Sequence, residues 1–200
     1  MTSKPVVVLS ALVLAVAVAA ARHAVAVPGK PTAASTAAEP GTIARGKYLV
    51  AVGGCNDCHS PKIFGASGPM PDPARLLSGH PRGQTLPSMP AGFIGPTGWG
   101  AVCNNDGTAW VGPWGTSFAM NLTPDVDTGV GSWNEAMFVK AIRTGKHMGE
   151  GRPILPTMPW AEFAGMSDAD LSAIFGYLRS LEPVSNAVPE PLPPPVSPSK

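Results

Sequence analysis

Three stretches of the chain carry apolar residues at the spacing of an amphipathic helix. The first covers about residues 42–54, and the second opens with Ser132-Trp133-Asn134-Glu135, a capping sequence, and stops at Gly145. The third begins with a cap at Ser167 and continues through Leu171, Ile174, Phe175, Leu178 and Leu181. No stretch of any length alternates apolar and polar residues as a half-buried strand does. The pattern therefore predicts an all-α fold.

Residues 62–118, between the first two predicted helices, have no helical pattern. They hold eleven glycines and eight prolines, together with Phe64, Phe93, Trp99, Trp110, Trp114 and Phe118. A loop of this length is unusual inside a compact domain, and its aromatic residues are not those of a solvated linker. We expect a long, irregular, Gly/Pro-rich insert that packs on the helical core.

The two ends of the chain differ from its middle. Residues 1–26 place Lys4 before an apolar run from Val6 to Ala21 and small residues after it, the arrangement of a secretory signal peptide. Because the run is nearly long enough to span a bilayer, an uncleaved membrane anchor is the alternative. Residues 27–41 are typical of a flexible linker, and residues 183–200, with seven prolines, of an extended tail. The expected domain, residues 42–182, then lies in the periplasm or at the outer face of the cytoplasmic membrane.

Composition excludes several classes of function. The 14 Lys and Arg nearly balance the 13 Asp and Glu, so there is no basic excess for binding the phosphates of a nucleic acid. Three cysteines are too few for a disulfide framework. No nucleophile with an adjacent base and no pair of carboxylates indicates catalysis by the chain's own side chains.

The clearest chemical signal is Cys55-Asn56-Asp57-Cys58-His59, a C-x-x-C-H sequence. This is the attachment signature of c-type haem, in which each thiol forms a thioether with a vinyl group and the histidine ligates the iron. With only three cysteines and four histidines in the chain, a chance occurrence is rare. The sequence predicts one covalently bound haem c held by Cys55, Cys58 and His59.

Two other interpretations of the cysteines are open. A thiol–disulfide exchange motif uses the same C-x-x-C spacing, but it belongs to a βαβ setting that the pattern does not show. A zinc site needs further clustered ligands, and Cys103, His80 and His147 are widely scattered. An exported thiol oxidoreductase without haem is the corresponding alternative function. For Cys103 we expect an inert buried thiol, with an intermolecular disulfide as the alternative.

The sixth iron ligand determines what such a haem does, because a methionine favours electron transfer and an open site favours gas binding or peroxide chemistry. Met158 has the most suitable setting, between Pro156 and Pro159 and just before the third helix. Prolines stiffen the loop and lower the entropic cost of presenting the thioether. The alternatives are Met120, Met148, His147 and His80.

Further motifs extend the pattern through residues 42–189, the insert excepted, and there the chain resembles class I cytochrome c. It is most similar to the domains repeated in the cytochrome subunits of membrane-bound alcohol and sugar-acid dehydrogenases. The matching motifs are Gly46-Lys47-Tyr48-Leu49, Asn121-Leu122-Thr123-Pro124-Asp125, Thr128-Gly129-Val130-Gly131 with Trp133, Phe138, Met158-Pro159-Trp160, Asp168-Ala169-Asp170-Leu171 and Tyr177-Leu178-Arg179-Ser180.

The resemblance implies a class I cytochrome c-like fold, with the first and last helices crossing at Gly46 and with His59 and Met158 as axial ligands. It also implies that Asn121, Leu122 and Pro159 contact the haem. The protein would then be an electron carrier rather than an enzyme, between a periplasmic dehydrogenase and a respiratory oxidase or cytochrome. The chain departs from those subunits in having one such domain instead of three, and in its insert.

Overall fold

A computed structural model describes residues 39–95 and 98–194. These ranges contain five α-helices, five strands and two short 3₁₀ helices, joined by loops. In chain order they are α1 (Pro40–Val52), α2 (Cys55–His59), β1 (Lys62–Gly65), β2 (Gly68–Pro71), a 3₁₀ turn (Pro73–Arg75), β3 (Val102–Cys103), β4 (Ala109–Gly112), β5 (Gly115–Phe118), α3 (Glu135–Thr144), a second 3₁₀ turn (His147–Gly149), α4 (Trp160–Phe163) and α5 (Asp168–Arg179).

The packing of α1 against α5 forms the centre of the core. A Cβ atom on Gly46 of α1 would lie 1.9 Å from the carbonyl oxygen of Ala173 and 2.8 Å from the Cβ of Tyr177. Only a glycine permits the two backbones to approach this closely. Around this contact Leu49 and Val50 of α1 are buried, and so are Leu171, Ala173, Ile174, Phe175 and Leu178 of α5.

The caps of α3 and α5 explain where these two helices begin and end. The side chain of Asn134 accepts a hydrogen bond from Met137 N at 2.9 Å, so Asn134 caps α3 instead of the predicted Ser132. Gly145, with φ of 64°, ends that helix as predicted. The predicted cap of α5 is confirmed, since Ser167 Oγ accepts from Asp170 N at 3.1 Å. Phe138 of α3 stacks on Phe175 of α5, with ring centroids 5.3 Å apart.

The expectation of an all-α fold is wrong, because the protein is mixed α and β. Strands β1 and β2 form an antiparallel hairpin, and β3, β4 and β5 form an antiparallel three-stranded sheet. Both sheets lie in residues 62–118, so this insert is not irregular throughout. Each strand has four residues or fewer, and none buries alternate positions over enough length to give a period of two. The pattern of apolar residues therefore does not reveal them.

The C-terminal residues 183–194 have no helix or named strand, yet they are bound along the protein. The side-chain amide of Asn186 donates to the carbonyl oxygens of Ser78 and His80, at 2.7 and 2.9 Å. Farther on, Leu192 and Thr116 of β5 exchange two backbone hydrogen bonds, of 2.8 and 2.9 Å. Residues 183–194 are therefore extended and are held against the insert at both of these points.

The predicted signal peptide, residues 1–26, and most of the predicted linker lie outside the described residues. Helix α1 starts at Pro40, so its first two residues overlap the end of the predicted linker. Within residues 39–95 and 98–194, no helix is long and apolar enough to cross a membrane.

Replacing Gly46 by alanine tests the contact between α1 and α5. The added methyl group would overlap the Ala173 carbonyl, and we expect it to lower the free energy of unfolding by roughly 1–3 kcal/mol, the usual cost of overpacking. The matched control is Gly41→Ala on the same helix, where a Cβ would meet nothing within 4 Å. Urea unfolding of both variants measures the difference, and equal midpoints would show that the close approach is unimportant.

Candidate functional site

The C-x-x-C-H sequence forms the short helix α2, which one lysine holds at its C-terminal end. Lys62 Nζ donates to the carbonyl oxygens of Asn56, Asp57 and Ser60, at 2.9, 2.9 and 2.5 Å. A cation satisfies and charge-compensates the last carbonyls of a helix, which otherwise lack partners. Sequence reasoning missed this role, although a lysine directly after a helix end is a known signal for it.

His59, the last residue of α2, is buried, and one hydrogen bond fixes the orientation of its ring. Its Nδ1 lies 2.8 Å from the carbonyl oxygen of Met120. Because a carbonyl only accepts, Nδ1 carries the proton and Nε2 keeps its lone pair. Burial lowers the pKa of His59, so the ring is neutral at neutral pH. A neutral imidazole with a free Nε2 is the form that binds a metal ion.

Cys55, Cys58 and His59 line a cavity of about 420 Å³. Small-molecule and cofactor sites commonly have volumes of about 300–1,000 Å³. Most of the wall is apolar, and it comes from the core helices: Leu49 and Val50 of α1, Phe138, Ala141 and Ile142 of α3, and Leu171, Ile174 and Leu178 of α5. The site is therefore an extension of the hydrophobic core.

Met158 and Pro159 line the same cavity, from the loop between the second 3₁₀ turn and α4. Two hydrogen bonds hold this loop: Ile154 N donates to Gly145 O at 2.7 Å, and Ser117 Oγ donates to Pro156 O at 2.5 Å. The structure thus brings Met158 together with the three residues of the C-x-x-C-H sequence.

Leu122 also lines the cavity, whereas the neighbouring Asn121 does not. Asn121 is buried, and its Oδ1 accepts from Thr123 N and Oγ1, at 2.9 and 2.7 Å. Its Nδ2 donates to Thr128 Oγ1 and to Val184 O, at 3.1 and 2.8 Å. Asn121 therefore holds the loop that presents Leu122 and ties it to the C-terminal segment.

The alternative ligands separate by position. Met120 and His147 line the cavity, whereas Met148 and His80 do not. His80 is fully buried elsewhere, with Nδ1 3.0 Å from Thr108 Oγ1 and its ring 4.8 Å from that of Phe118. Of the methionines and histidines considered from the sequence, only Met158, Met120 and His147 therefore share the cavity with His59.

The insert supplies part of the cavity wall in addition to packing on the helical core. Trp110 of β4, Ser117 and Phe118 of β5, and the following Ala119 line the cavity. The Gly112-Pro113 dipeptide, which marks a turn, is the sequence signal for the connection between β4 and β5.

Charge is scarce at the cavity. Of the residues that line it, only Asp57 and Arg152 have charged side chains.

Burial, with a smaller contribution from Arg152, lowers the pKa of His147 and keeps it neutral at neutral pH. Within residues 39–95 and 98–194, no group of three or more His, Cys, Asp or Glu side chains is placed to hold a metal ion.

The thiols are poor nucleophiles in this setting. Burial raises the pKa of Cys55 to about 11 and also raises the pKa of Cys58. Thiol–disulfide enzymes instead lower the pKa of the attacking cysteine to make it a thiolate. The arrangement therefore disfavours the thiol oxidoreductase alternative. Cys103 is exposed on β3, so the expectation that it is buried is wrong.

Comparison with known proteins identifies relatives among dehydrogenase subunits. A nicotinate dehydrogenase subunit of Pseudomonas putida is 39% identical over 90 residues, 45% of this chain and 8% of that protein. The gluconate 2-dehydrogenase cytochrome c subunit of Pantoea cypripedii is 29% identical over 146 residues, 72% of this chain and 24% of that subunit. The alcohol dehydrogenase (quinone) cytochrome c subunit of Gluconobacter oxydans is 36% identical over 74 residues, 36% of this chain and 15% of that subunit.

The chain therefore has relatives among the cytochrome c subunits of dehydrogenases, which confirms that part of the resemblance. It spans at most 24% of the length of these three relatives. No family model matches the chain.

The buried His80 leads to a prediction about acid stability. Burial lowers the pKa of His80, so the unfolded chain takes up a proton near pH 6.5 and the folded protein only at a lower pH. Between these two values the free energy of unfolding falls as the pH falls, by at most about 1.4 kcal/mol per pH unit. In His80→Gln, which does not titrate, we expect a shallower slope between pH 7 and 5. Urea titrations at several pH values measure it, and unchanged slopes would refute the prediction.

Proposed function

We propose that this protein is an exported c-type cytochrome with a single covalently bound haem, which carries one electron at a time from a dehydrogenase to a respiratory acceptor. The observation that carries the proposal is the meeting of Cys55, Cys58, His59 and Met158 on one largely apolar cavity. The relatives support it, since two of the three described above are cytochrome c subunits of dehydrogenases.

The residues present fit a haem. Two thiols precede a histidine whose Nδ1 is occupied by a backbone carbonyl, which leaves Nε2 for the iron. The thioether of Met158 lines the same cavity, and a histidine with a methionine would be a ligand set that raises the reduction potential of an electron-transfer haem. When bound, the haem supplies one-electron chemistry between its ferric and ferrous states.

Each residue then has a separate task. Cys55 and Cys58 would anchor the haem through thioethers, and His59 and Met158 would ligate its iron. Leu122 and Pro159 form part of the wall and exclude water, which strengthens electrostatic interactions inside the cavity. Asn121 does not line the cavity; its hydrogen bonds position the loop that carries Leu122. No proton transfer or bond cleavage is required of the chain, so its role is that of a carrier rather than a catalyst.

The partners follow from the relatives and from the leader sequence. The relatives' names identify dehydrogenases that work with cytochrome c subunits, so a dehydrogenase is the proposed donor. The proposed acceptor is an oxidase or another cytochrome. The signal-peptide pattern of residues 1–26 supports export, so the proposed location is the periplasm or, with the leader uncleaved, the outer face of the cytoplasmic membrane.

Removing both thiols tests the covalent attachment. In the double variant Cys55→Ser, Cys58→Ser no thioether can form, and we expect no haem to remain on the polypeptide. A denaturing gel stained for haem measures this. Cys103→Ser is the matched control, because its exposed thiol does not line the cavity, and it should stain like the wild type. A stained band from the double variant would disprove the attachment.

Replacing Met158 tests the sixth ligand. A thioether stabilises ferrous iron, so Met158→Ala should keep its covalent haem, have a lower reduction potential and bind carbon monoxide when reduced. It should also lose the weak red absorption band of sulfur-ligated ferric haem. Redox titration measures the potential, absorption spectra measure the red band and carbon monoxide binding, and a denaturing gel stained for haem measures retention of the haem.

Met148→Ala is the control for this substitution, because Met148 lies outside the cavity and should leave the band intact. If Met158→Ala keeps the band, Met120 is the other cavity methionine to replace. Rapid carbon monoxide binding by the wild type would instead indicate an open sixth site, and with it gas binding or peroxide chemistry.

A further inference from the structure

The rim of the cavity carries one unusual group, the guanidinium of Arg152. It is the only cation among the residues that line a largely apolar cavity, in which Asp57 is the only anion. The other cations that form ion pairs in the described ranges do not line the cavity; they are Arg45, Arg75, Lys140 and Arg143. Burying part of a charge against apolar groups is unfavourable unless an anion compensates it.

The backbone around Arg152 fixes its position. His147 N donates to Arg152 O at 2.9 Å, and Lys146 pairs with Pro153 in an isolated antiparallel bridge. The side chain is 42% exposed, so it lies where the cavity meets the surface. A group at this place is positioned to contact a polar edge of a bound molecule while the rest of that molecule is buried.

The C-terminal segment brings a carboxylate to the same place. Arg152 Nε lies 3.1 Å from Glu190 Oε2, and the next residue, Pro191, lines the cavity. Backbone pairing of Leu192 with Thr116 of β5 holds this part of the segment. Glu190 accepts a hydrogen bond only from Nε of Arg152. Within the described residues, the two terminal nitrogens of the Arg152 guanidinium make no hydrogen bond.

We propose that Arg152 binds a carboxylate of the haem and raises the reduction potential of the iron, and that the negative charge of Glu190 weakens this electrostatic effect. The inference rests on the proposed haem site. Haem is apolar except for its iron and two propionate carboxylates, and a guanidinium with two free nitrogens matches a carboxylate in shape and charge. An exposed arginine–glutamate pair contributes little to stability, so the cavity position is better explained by a ligand than by the pair itself.

The charges predict opposite shifts in reduction potential. A cation near the haem favours the ferrous form, which has one positive charge fewer, so Arg152→Gln should lower the midpoint potential. Glu190→Gln removes an anion and should raise it. At a fixed ambient potential, the ferric to ferrous ratio should rise several-fold in the first variant and fall in the second. Arg152→Lys, which keeps the charge, should retain most of the wild-type potential.

The test is redox titration of the full-length purified protein, after haem staining of each variant on a denaturing gel. Arg45→Gln is the matched control, since Arg45 Nε pairs with Asp170 at 3.0 Å away from the cavity, and its potential should stay at the wild-type value. If Arg152→Gln shifts the potential no more than Arg45→Gln, or if Arg152→Lys shifts it as far as Arg152→Gln, the inference is wrong while the haem site stands. If the wild type carries no covalent haem, the proposed function and the inference fail together.

Discussion

The close contact between α1 and α5 at Gly46 is the constraint on which the rest of the structure depends. The backbone of α1 lies directly against the Ala173 carbonyl, with no room for a side chain between them. This approach brings together the apolar residues of both helices, and several of these residues line the cavity. The cavity wall is therefore a consequence of helix packing, and a wider separation of the helices would expose it.

Hydrogen bonds connect this helical core to the insert. His59 on α2 binds the Met120 carbonyl just after β5, and Ser60 Oγ accepts from Leu77 N at 2.8 Å. Leaving a buried donor or acceptor without a partner costs about 1–3 kcal/mol, so these contacts fix the insert against α2. The contact with Met120 orients the imidazole, so the segment directly after β5 helps to prepare the site, while the insert helps to enclose it.

The distribution of charge divides the site into a buried part and a rim. The interior is largely apolar, its half-buried thiols have raised pKa values, and the buried His59 is neutral. Arg152 and Glu190 stand at the rim, where the C-terminal segment returns along the protein. Such an arrangement suits a bound group that is mostly apolar and carries anionic substituents on one edge. It does not suit exchange between thiolates and disulfides, which requires stabilised thiolates.

Local sequence signals made the ends of two helices and the apolar face of α5 predictable. The cap at Ser167, the stop at Gly145 and the apolar spacing of α5 depend on neighbours a few residues apart, and the structure has all three. The strands of the insert escaped detection because each is too short for a pattern, and because their pairing depends on partners farther along the chain.

The sequence by itself determined which candidate ligands the site contains, because the C-x-x-C-H motif and the methionine between two prolines are each set by residues close together in the chain. It also determined the relationship to cytochrome c subunits of dehydrogenases, which comparison bears out. Only the tertiary structure decided that Trp110 and Arg152 line the same cavity as His59. It also decided that Asn121 does not line this cavity and instead holds the loop that carries Leu122. Such roles arise from contacts between residues distant in the chain, which the fold sets and no local pattern encodes.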